Sequence, residues 1–174
     1  SWITCEETAD CAGDTLMQNH GYNFDVPATT QPILAPAVPL RAMGRFRHEA
    51  VAVDPKTNIV YQTEDLGDSS IYRFIPTTPG KLAAGGRLQA LVVRDSFSLD
   101  TRNWMEQLVK VGVKLFTTWV DLKEVESPKN DLRLQAQSKG AAKFARGEGM
   151  WWADGSVYFA CTNGGKKQHG QIWK

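Results

Sequence analysis

An internal repeat is the feature of this sequence that most limits its fold. From Glu49 the chain gives a strand, an aspartate turn, a Val-Tyr strand, a loop with glycine and serine, and an aromatic strand. The same order returns from Glu148, and a third copy, from Ile3, lacks the first strand. A repeated antiparallel meander of about four strands is the blade of a β-propeller. The sequence therefore predicts an all-β propeller fold, with blade-like repeats near residues 1–26, 49–93 and 148–174.

The number of repeats indicates a partial propeller. Closure normally takes roughly 4–8 blades, and the repeats above amount to about three. The chain also opens inside a strand-like segment at Ser1–Thr4, where a mature N-terminus seldom lies. We therefore expect residues 1–174 to form one partial β-propeller domain, completed by the missing blades of the same propeller.

Short β-branched and aromatic runs, bounded by turn residues, predict the individual strands. The predicted strands are residues 2–6, 22–26, 50–53, 59–64, 71–75, 88–93, 118–122, 157–161 and 171–173. Turns are predicted at 54–58, where Asp and Asn side chains bond to their own backbone, and at 153–156, where Asp-Gly accepts positive φ.

Long irregular insertions separate the repeats. Residues 27–39 contain four prolines and no charge, so they cannot form a central strand. Residues 123–143 form a second, polar connection. Residues 101–111 predict a helix capped by Asp100, with Trp104 and Leu108 on one face, although the alternating valines that follow also fit a strand.

The charge balance excludes some classes of partner. The chain has 20 basic and 19 acidic residues, which gives no electrostatic reason to expect nucleic acid or an anionic membrane. There is no nucleophile elbow and no dinucleotide-binding fingerprint. Of the three cysteines, Cys5 and Cys11 either form a disulfide or remain free thiols like Cys161.

Carboxylates recur at similar places in the repeats. Glu49 and Glu148 begin first strands, and the ends of second strands carry Glu6, Glu7, Glu64 and Asp65. Any one of them alone fits a solvated turn residue, but their recurrence predicts that they converge on the propeller axis. Converging carboxylates are tolerable together only if they are protonated or neutralised by a metal ion, and oxygen ligands favour Ca²⁺, Mg²⁺ or Fe³⁺. The thiolate of Cys5 would suit iron.

Two residues beside these carboxylates have predicted roles of their own. Arg146 lies two residues before Glu148, so both side chains point the same way, and its guanidinium would anchor phosphate oxygens. The alternative is a surface arginine. His48 lies on the opposite face from Glu49, and we predict that it packs behind the ligands rather than binding metal.

Several segments, in order along the chain, resemble motifs of the PhoX-type alkaline phosphatase family. Residues 2–7 resemble its Trp-x-Thr-Cys-Glu-Glu segment, and residues 44–49 resemble Gly-Arg-Phe-x-His-Glu. Residues 61–65 and 72–76 fit its next strands, and residues 146–149 fit Arg-x-Glu-Gly.

The resemblance implies a Tat-exported bacterial enzyme, periplasmic or secreted, that hydrolyses small phosphate monoesters at an iron and calcium cluster in the propeller channel. It implies Cys5 as an iron ligand, Arg146 as the phosphate contact, and further ligands for Fe³⁺ or Ca²⁺ among Glu6, Glu7, Glu49, Glu64, Asp65 and Glu148. Two alternatives remain open at this stage. A calcium-dependent lactonase or esterase propeller would need no thiolate, and a non-catalytic binding propeller would need no metal.

Overall fold

The computed structural model describes residues 2–13 and 15–174. In this part of the chain there are ten strands, one α-helix and two short 3₁₀ turns at Arg41–Met43 and Leu82–Ala84. The strands are β1 (Trp2–Cys5), β2 (Asn23–Val26), β3 (His48–Val53), β4 (Val60–Glu64), β5 (Tyr72–Pro76), β6 (Gly86–Val93), β7 (Thr117–Asp121), β8 (Gly147–Ala153), β9 (Ser156–Cys161) and β10 (Gln171–Trp173). The helix is α1 (Leu132–Ser138).

The strands form three antiparallel sheets, each a meander in chain order. They are β1-β2, β3-β4-β5-β6-β7 and β8-β9-β10. The all-β class is therefore confirmed. Within the described residues the three sheets do not close into a ring.

Two tight turns explain why consecutive strands pair. The carboxylate of Asp54 accepts hydrogen bonds from Lys56 N at 2.9 Å and Thr57 Oγ1 at 2.7 Å. Between β8 and β9, Asp154 and Gly155 have φ values of 49° and 73°, as a two-residue hairpin requires. Both turns match the sequence prediction.

Both faces of the central sheet are buried. One face packs against the first 3₁₀ turn and α1, through a cluster that includes Phe46, Tyr72, Phe74, Leu88, Leu132 and Ala136. The other face packs against β8–β10, through a cluster that includes Ala52, Ile71, Val93, Phe144, Met150 and Phe159. Along β3, β4 and β6, neighbouring apolar residues fall in opposite clusters because successive strand residues face opposite sides. Strand β3 contacts both β1 and β8, so it lies between the other two sheets.

The helix predicted at residues 101–111 is wrong. That segment is a loop, closed by the side chain of Asn103, which accepts from Val109 N at 3.0 Å and donates to Val109 O at 2.7 Å. Asn103 also has a φ of 55°, which lies outside helical geometry. The α-helix lies instead at α1, inside the connection 123–143 that we expected to be irregular.

Cys5, Cys11 and Cys161 are all free thiols in the structure, which corresponds to the free-thiol alternative for Cys5 and Cys11. Cys11 is exposed, and its Sγ donates to the carbonyl of Pro128 at 3.3 Å. No helix in residues 2–13 and 15–174 is both long and apolar enough to cross a membrane.

Candidate functional site

Strand β3 contains a β-bulge at Glu49. His48 pairs with Glu64, and the next paired positions are Val51 and Gln62, so β3 has one residue more than β4 over this interval. A bulge bends its strand and redirects a side chain, and bulges are common beside functional sites. The bulge therefore sets the direction in which the side chain of Glu49 points.

Strand β8 contains the same irregularity at Glu148. Gly147 pairs with Cys161, and the next pair joins Met150 to Phe159. The extra residue again falls beside the glutamate that begins the repeat. The two glutamates singled out by the repeat thus occupy equivalent bulges in neighbouring sheets.

Thr63, a buried residue of β4, connects the two bulges. Its Oγ1 accepts a hydrogen bond from Ala50 N at 3.0 Å and donates to the backbone carbonyl of Glu148 at 2.7 Å. Gly147 permits this approach, because a Cβ at its position would lie 3.1 Å from Thr63 Cβ and 3.2 Å from the carbonyl oxygen of Glu64. One side chain therefore fixes the spacing of β3 and β8.

Five titratable side chains from three sheets influence one another electrostatically. The pKa of Glu49 is raised to about 7, first by burial and then by the negative charges of Glu148, Glu7 and Asp65. Burial, followed by the charges of Glu49 and Glu7, raises the pKa of Cys5 to about 11. We call Cys5, Glu7, Glu49, Asp65 and Glu148 the acidic cluster. Glu49 is its central member, because three of the other carboxylates act on Glu49, and Glu49 acts in turn on Cys5.

The guanidinium of Arg146 forms ion pairs with two members of this cluster. Its Nε lies 2.7 Å from Asp65 Oδ1 and its Nη2 lies 2.9 Å from Asp65 Oδ2, while Nη2 also lies 3.3 Å from Glu148 Oε1. The residue has a φ of 53°, an uncommon conformation for an arginine. Arg146 therefore neutralises part of the negative charge and joins β8 to the end of β4.

Glu6 faces away from the acidic cluster. Its Oε1 lies 2.9 Å from Nδ1 of His20, and its Oε2 accepts from the backbone N–H groups of Gly21 at 2.7 Å and Tyr22 at 3.0 Å. All these partners belong to the segment that leads into β2. The carboxylate thus holds the entry to its own sheet.

Glu64, the repeat counterpart of Glu6, has a similar environment. It is fully buried, and its Oε2 accepts from Tyr72 Oη at 2.9 Å and from Ser70 N at 3.2 Å. Burial raises its pKa to about 7. Of the predicted carboxylate ligands, the structure brings together Glu7, Glu49, Asp65 and Glu148. Glu6 binds the segment before β2 instead, and Glu64 binds Ser70 and the first residue of β5.

His48 is fully buried behind β3. Its Nε2 donates to the carbonyl of Gly44 at 3.1 Å, and its ring centroid lies 3.6 Å from that of Phe46. Burial lowers its pKa to about 3, so the imidazole is neutral at physiological pH. His48 packs in the core and points away from the bulge.

Sequence reasoning missed a buried arginine at the start of this region. Arg45 is fully buried, and its guanidinium donates to the carbonyls of Ser127 at 2.9 Å and Asp10 at 3.0 Å and lies 3.4 Å from Cys11 Sγ. It therefore anchors the segment that follows Glu7. Its position inside the Gly-Arg-Phe motif was the available signal.

A family model described as alkaline phosphatase PhoX matches residues 1–174. The chain belongs to the PhoX alkaline phosphatase family. No match was found among curated proteins.

Among solved structures, this PhoX-family chain is similar to Pseudomonas fluorescens PhoX in complex with vanadate, a transition state analogue. The TM-score is 0.58 and the sequence identity is 19%. The alignment covers 98% of this chain and 41% of the other chain. At this identity the likeness establishes a shared fold, and the PhoX-family chain spans less than half the length of that protein.

The donor atoms of the acidic cluster fit the metals that the resemblance implies. Carboxylate oxygens suit Ca²⁺ and Fe³⁺, and one thiol adds a ligand suited to iron. Burial raises the pKa of Glu49 first, and the charges of Glu148, Glu7 and Asp65 raise it further; a bound cation would neutralise this negative charge. Within residues 2–13 and 15–174, however, no three His, Cys, Asp or Glu side chains are arranged to hold a metal ion. The cluster therefore has the right types of donor atom for these metals, but its ligand set is incomplete.

Proposed function

We propose that this chain carries one part of the metal-dependent phosphomonoesterase site of a β-propeller alkaline phosphatase. The observation that carries the proposal is the acidic cluster together with Arg146. Its carboxylates come from equivalent positions in successive repeats, two of them in equivalent bulges. Membership of the PhoX alkaline phosphatase family supports phosphate ester hydrolysis as the reaction at this site.

The three sheets are proposed to be successive blades of one partial propeller domain over residues 1–174. Strand β3 contacts both β1 and β8, as the first strand of a blade would contact the blades on either side. The shared fold supports this arrangement, since this chain corresponds to 41% of the PhoX structure it resembles. The proposal assigns the remaining blades, and the remaining metal ligands, to further parts of the same propeller.

Cys5, Glu7, Glu49, Asp65 and Glu148 are the residues proposed to hold iron and calcium. When bound, the metal ions would neutralise the phosphate and activate an oxygen nucleophile, so that no nucleophilic side chain is needed. The bulges and Thr63 hold Glu49 and Glu148 toward each other from adjacent sheets. For Glu6 and Glu64, the hydrogen bonds that their carboxylates already accept from backbone and side-chain donors favour a structural role.

Arg146 is proposed to contact the substrate phosphate. A guanidinium offers paired donors that match phosphate oxygens. Asp65 occupies two of these donors on one side, which fixes the orientation of the planar group. With 43% of its side chain exposed, Arg146 can be reached by a small anion from solution.

The family resemblance also supports export through the Tat pathway and a periplasmic or secreted location. Vanadate, which Pseudomonas fluorescens PhoX binds, is proposed to inhibit this protein as well.

Elemental analysis and activity together test the proposal. We would measure iron and calcium in the purified full-length protein, with no metal added, and assay p-nitrophenyl phosphate hydrolysis with and without vanadate. Iron with calcium, vanadate-sensitive phosphatase activity, and loss of iron in Cys5→Ser are the expected results. Calcium without iron, with Cys5→Ser unchanged, would favour the lactonase or esterase alternative. A protein with neither metal nor activity would be a binding propeller.

A further inference from the structure

Arg47 and Arg146 occupy the same position in successive repeats. Each is the residue immediately before a bulged strand, and each lies two residues before the glutamate at the bulge, Glu49 or Glu148. Extending the repeat two residues toward the N-terminus therefore aligns an Arg-x-Glu sequence in both copies.

The backbone at the two arginines is bonded in the same way. The carbonyl of Arg47 accepts from Asp65 N at 3.1 Å, and the carbonyl of Arg146 accepts from Thr162 N at 3.0 Å. Asp65 and Thr162 are each the first residue after the second strand of their repeat. The equivalence is therefore one of structure as well as of sequence.

The side chains differ in how much of their charge is neutralised. Arg146 donates to the carboxylates of both Asp65 and Glu148. Arg47 donates through Nε to the backbone carbonyl of Glu7 at 3.1 Å. In the part of the chain that the structure describes, Arg47 forms no ion pair and its terminal nitrogens make no hydrogen bond. Among residues 2–13 and 15–174, this partly exposed arginine has no counter-ion.

The bond to Glu7 places Arg47 at the edge of the acidic cluster. Glu7 belongs to that cluster, because its charge contributes to the raised pKa values of both Glu49 and Cys5. Arg47 is held next to Glu7 by a bond to its backbone carbonyl, and with no other partner among the described side chains it keeps both Nη groups available. Paired Nη donors suit a tetrahedral oxyanion better than a lysine would.

We propose that Arg47 is a second anion contact of this site and binds the phosphate group of the monoester from the Glu7 side. The inference rests on the proposed phosphatase function and adds a residue to its substrate site. Arg146, held by two carboxylates, orients the phosphate on the β8 side. Arg47, with its full positive charge available, contributes to ground-state affinity on the β3 side.

Steady-state kinetics of the full-length protein test the assignment. Arg47→Gln is expected to raise KM for p-nitrophenyl phosphate and the inhibition constant of inorganic phosphate together, each roughly tenfold, as loss of a hydrogen bond to a charged group predicts. The value of kcat should change much less. Arg47→Lys should recover part of the affinity. The matched control is Arg87→Gln, since Arg87 is an exposed arginine near the start of β6, 3.7 Å from Asp121.

The possible failures are distinguishable. Suppose that the wild-type protein is an active phosphatase but that Arg47→Gln has an inhibition constant for inorganic phosphate within twofold of the wild-type value. That result would overturn the assignment of Arg47 and leave the phosphatase proposal intact. A wild-type protein that neither hydrolyses the ester nor binds phosphate would refute the proposed function itself. Thermal unfolding of Arg47→Gln should change little, because the substitution removes no ion pair and only one exposed hydrogen bond, to the Glu7 carbonyl. If Arg47→Gln lost phosphate affinity only at temperatures where it also unfolds, the loss would be due to instability. That result would count against a substrate contact.

Discussion

Arg146 and Asp65 form a two-point ion pair across the junction of two sheets, with Nε–Oδ1 and Nη2–Oδ2 distances of 2.7 and 2.9 Å. The pair joins the residue before β8 to the residue after β4. A planar guanidinium is required for both contacts at once. The pair therefore does two things: it balances the charge of Asp65, and it fixes the orientation of the arginine at the acidic cluster.

Replacing Arg146 by lysine should lower activity while leaving the fold intact. Lysine keeps the charge but cannot make the parallel contacts, so we expect kcat/KM for p-nitrophenyl phosphate to fall at least about tenfold. Because the arginine side chain is 43% exposed, the free energy of unfolding should fall by about 1 kcal/mol or less. Kinetics and urea unfolding of the same preparation measure the two effects. Wild-type kinetics for Arg146→Lys would contradict the role assigned here.

Replacing Thr63 by valine should destabilise the junction of β3 and β8. The change keeps the shape but removes the hydroxyl that accepts from Ala50 N and donates to the Glu148 carbonyl. Leaving these backbone groups unpaired should cost about 1–3 kcal/mol of unfolding free energy. Thr63→Ser keeps the hydroxyl and is the control. Equal stability of the two variants in urea would show that the bridge is dispensable.

Two nearby glycines should respond differently to alanine. A Cβ at Gly147 would lie 3.1 Å from Thr63 Cβ, whereas a Cβ at Gly149 would have no atom within 4 Å. We expect Gly147→Ala to lower the free energy of unfolding by about 1–3 kcal/mol, because β8 must move away from β4. Gly149→Ala should change it by less than about 1 kcal/mol. Similar melting temperatures for the two variants would argue against close approach at Gly147.

Most strands could be predicted because their signals are local. Short β-branched and aromatic runs end at turns such as Asp54 to Asn58, where the side chains close the turn on their own. The segment 101–111 has the apolar spacing of a helix, but bonds from the Asn103 side chain to Val109 favour a loop. Helix α1 was missed because it has seven residues and lies in a polar segment.

The candidate site could be predicted only as a set of residues. Glu6 and Glu7 are adjacent, yet one holds the loop before β2 and the other joins the cluster. The sequence cannot separate them, because the donors to Glu6 come from Gly21 and Tyr22, distant along the chain. Arg47 could have been found, since comparing the residues before Glu49 and Glu148 shows the shared arginine.

Alanine at Glu6 and at Glu7 should therefore separate stability from metal binding. Removing the Glu6 carboxylate leaves His20 and the N–H groups of Gly21 and Tyr22 without their acceptor, so Glu6→Ala should lose about 1–3 kcal/mol of unfolding free energy. Glu7 is exposed, and Glu7→Ala should change stability by less than about 1 kcal/mol. The iron or calcium content of Glu7→Ala should fall, because a carboxylate is removed from the acidic cluster. Urea unfolding of metal-free protein and elemental analysis of the protein as purified give the two readouts. If Glu6→Ala lost metal at full stability while Glu7→Ala kept it, the assignment of the two neighbours would have to be reversed.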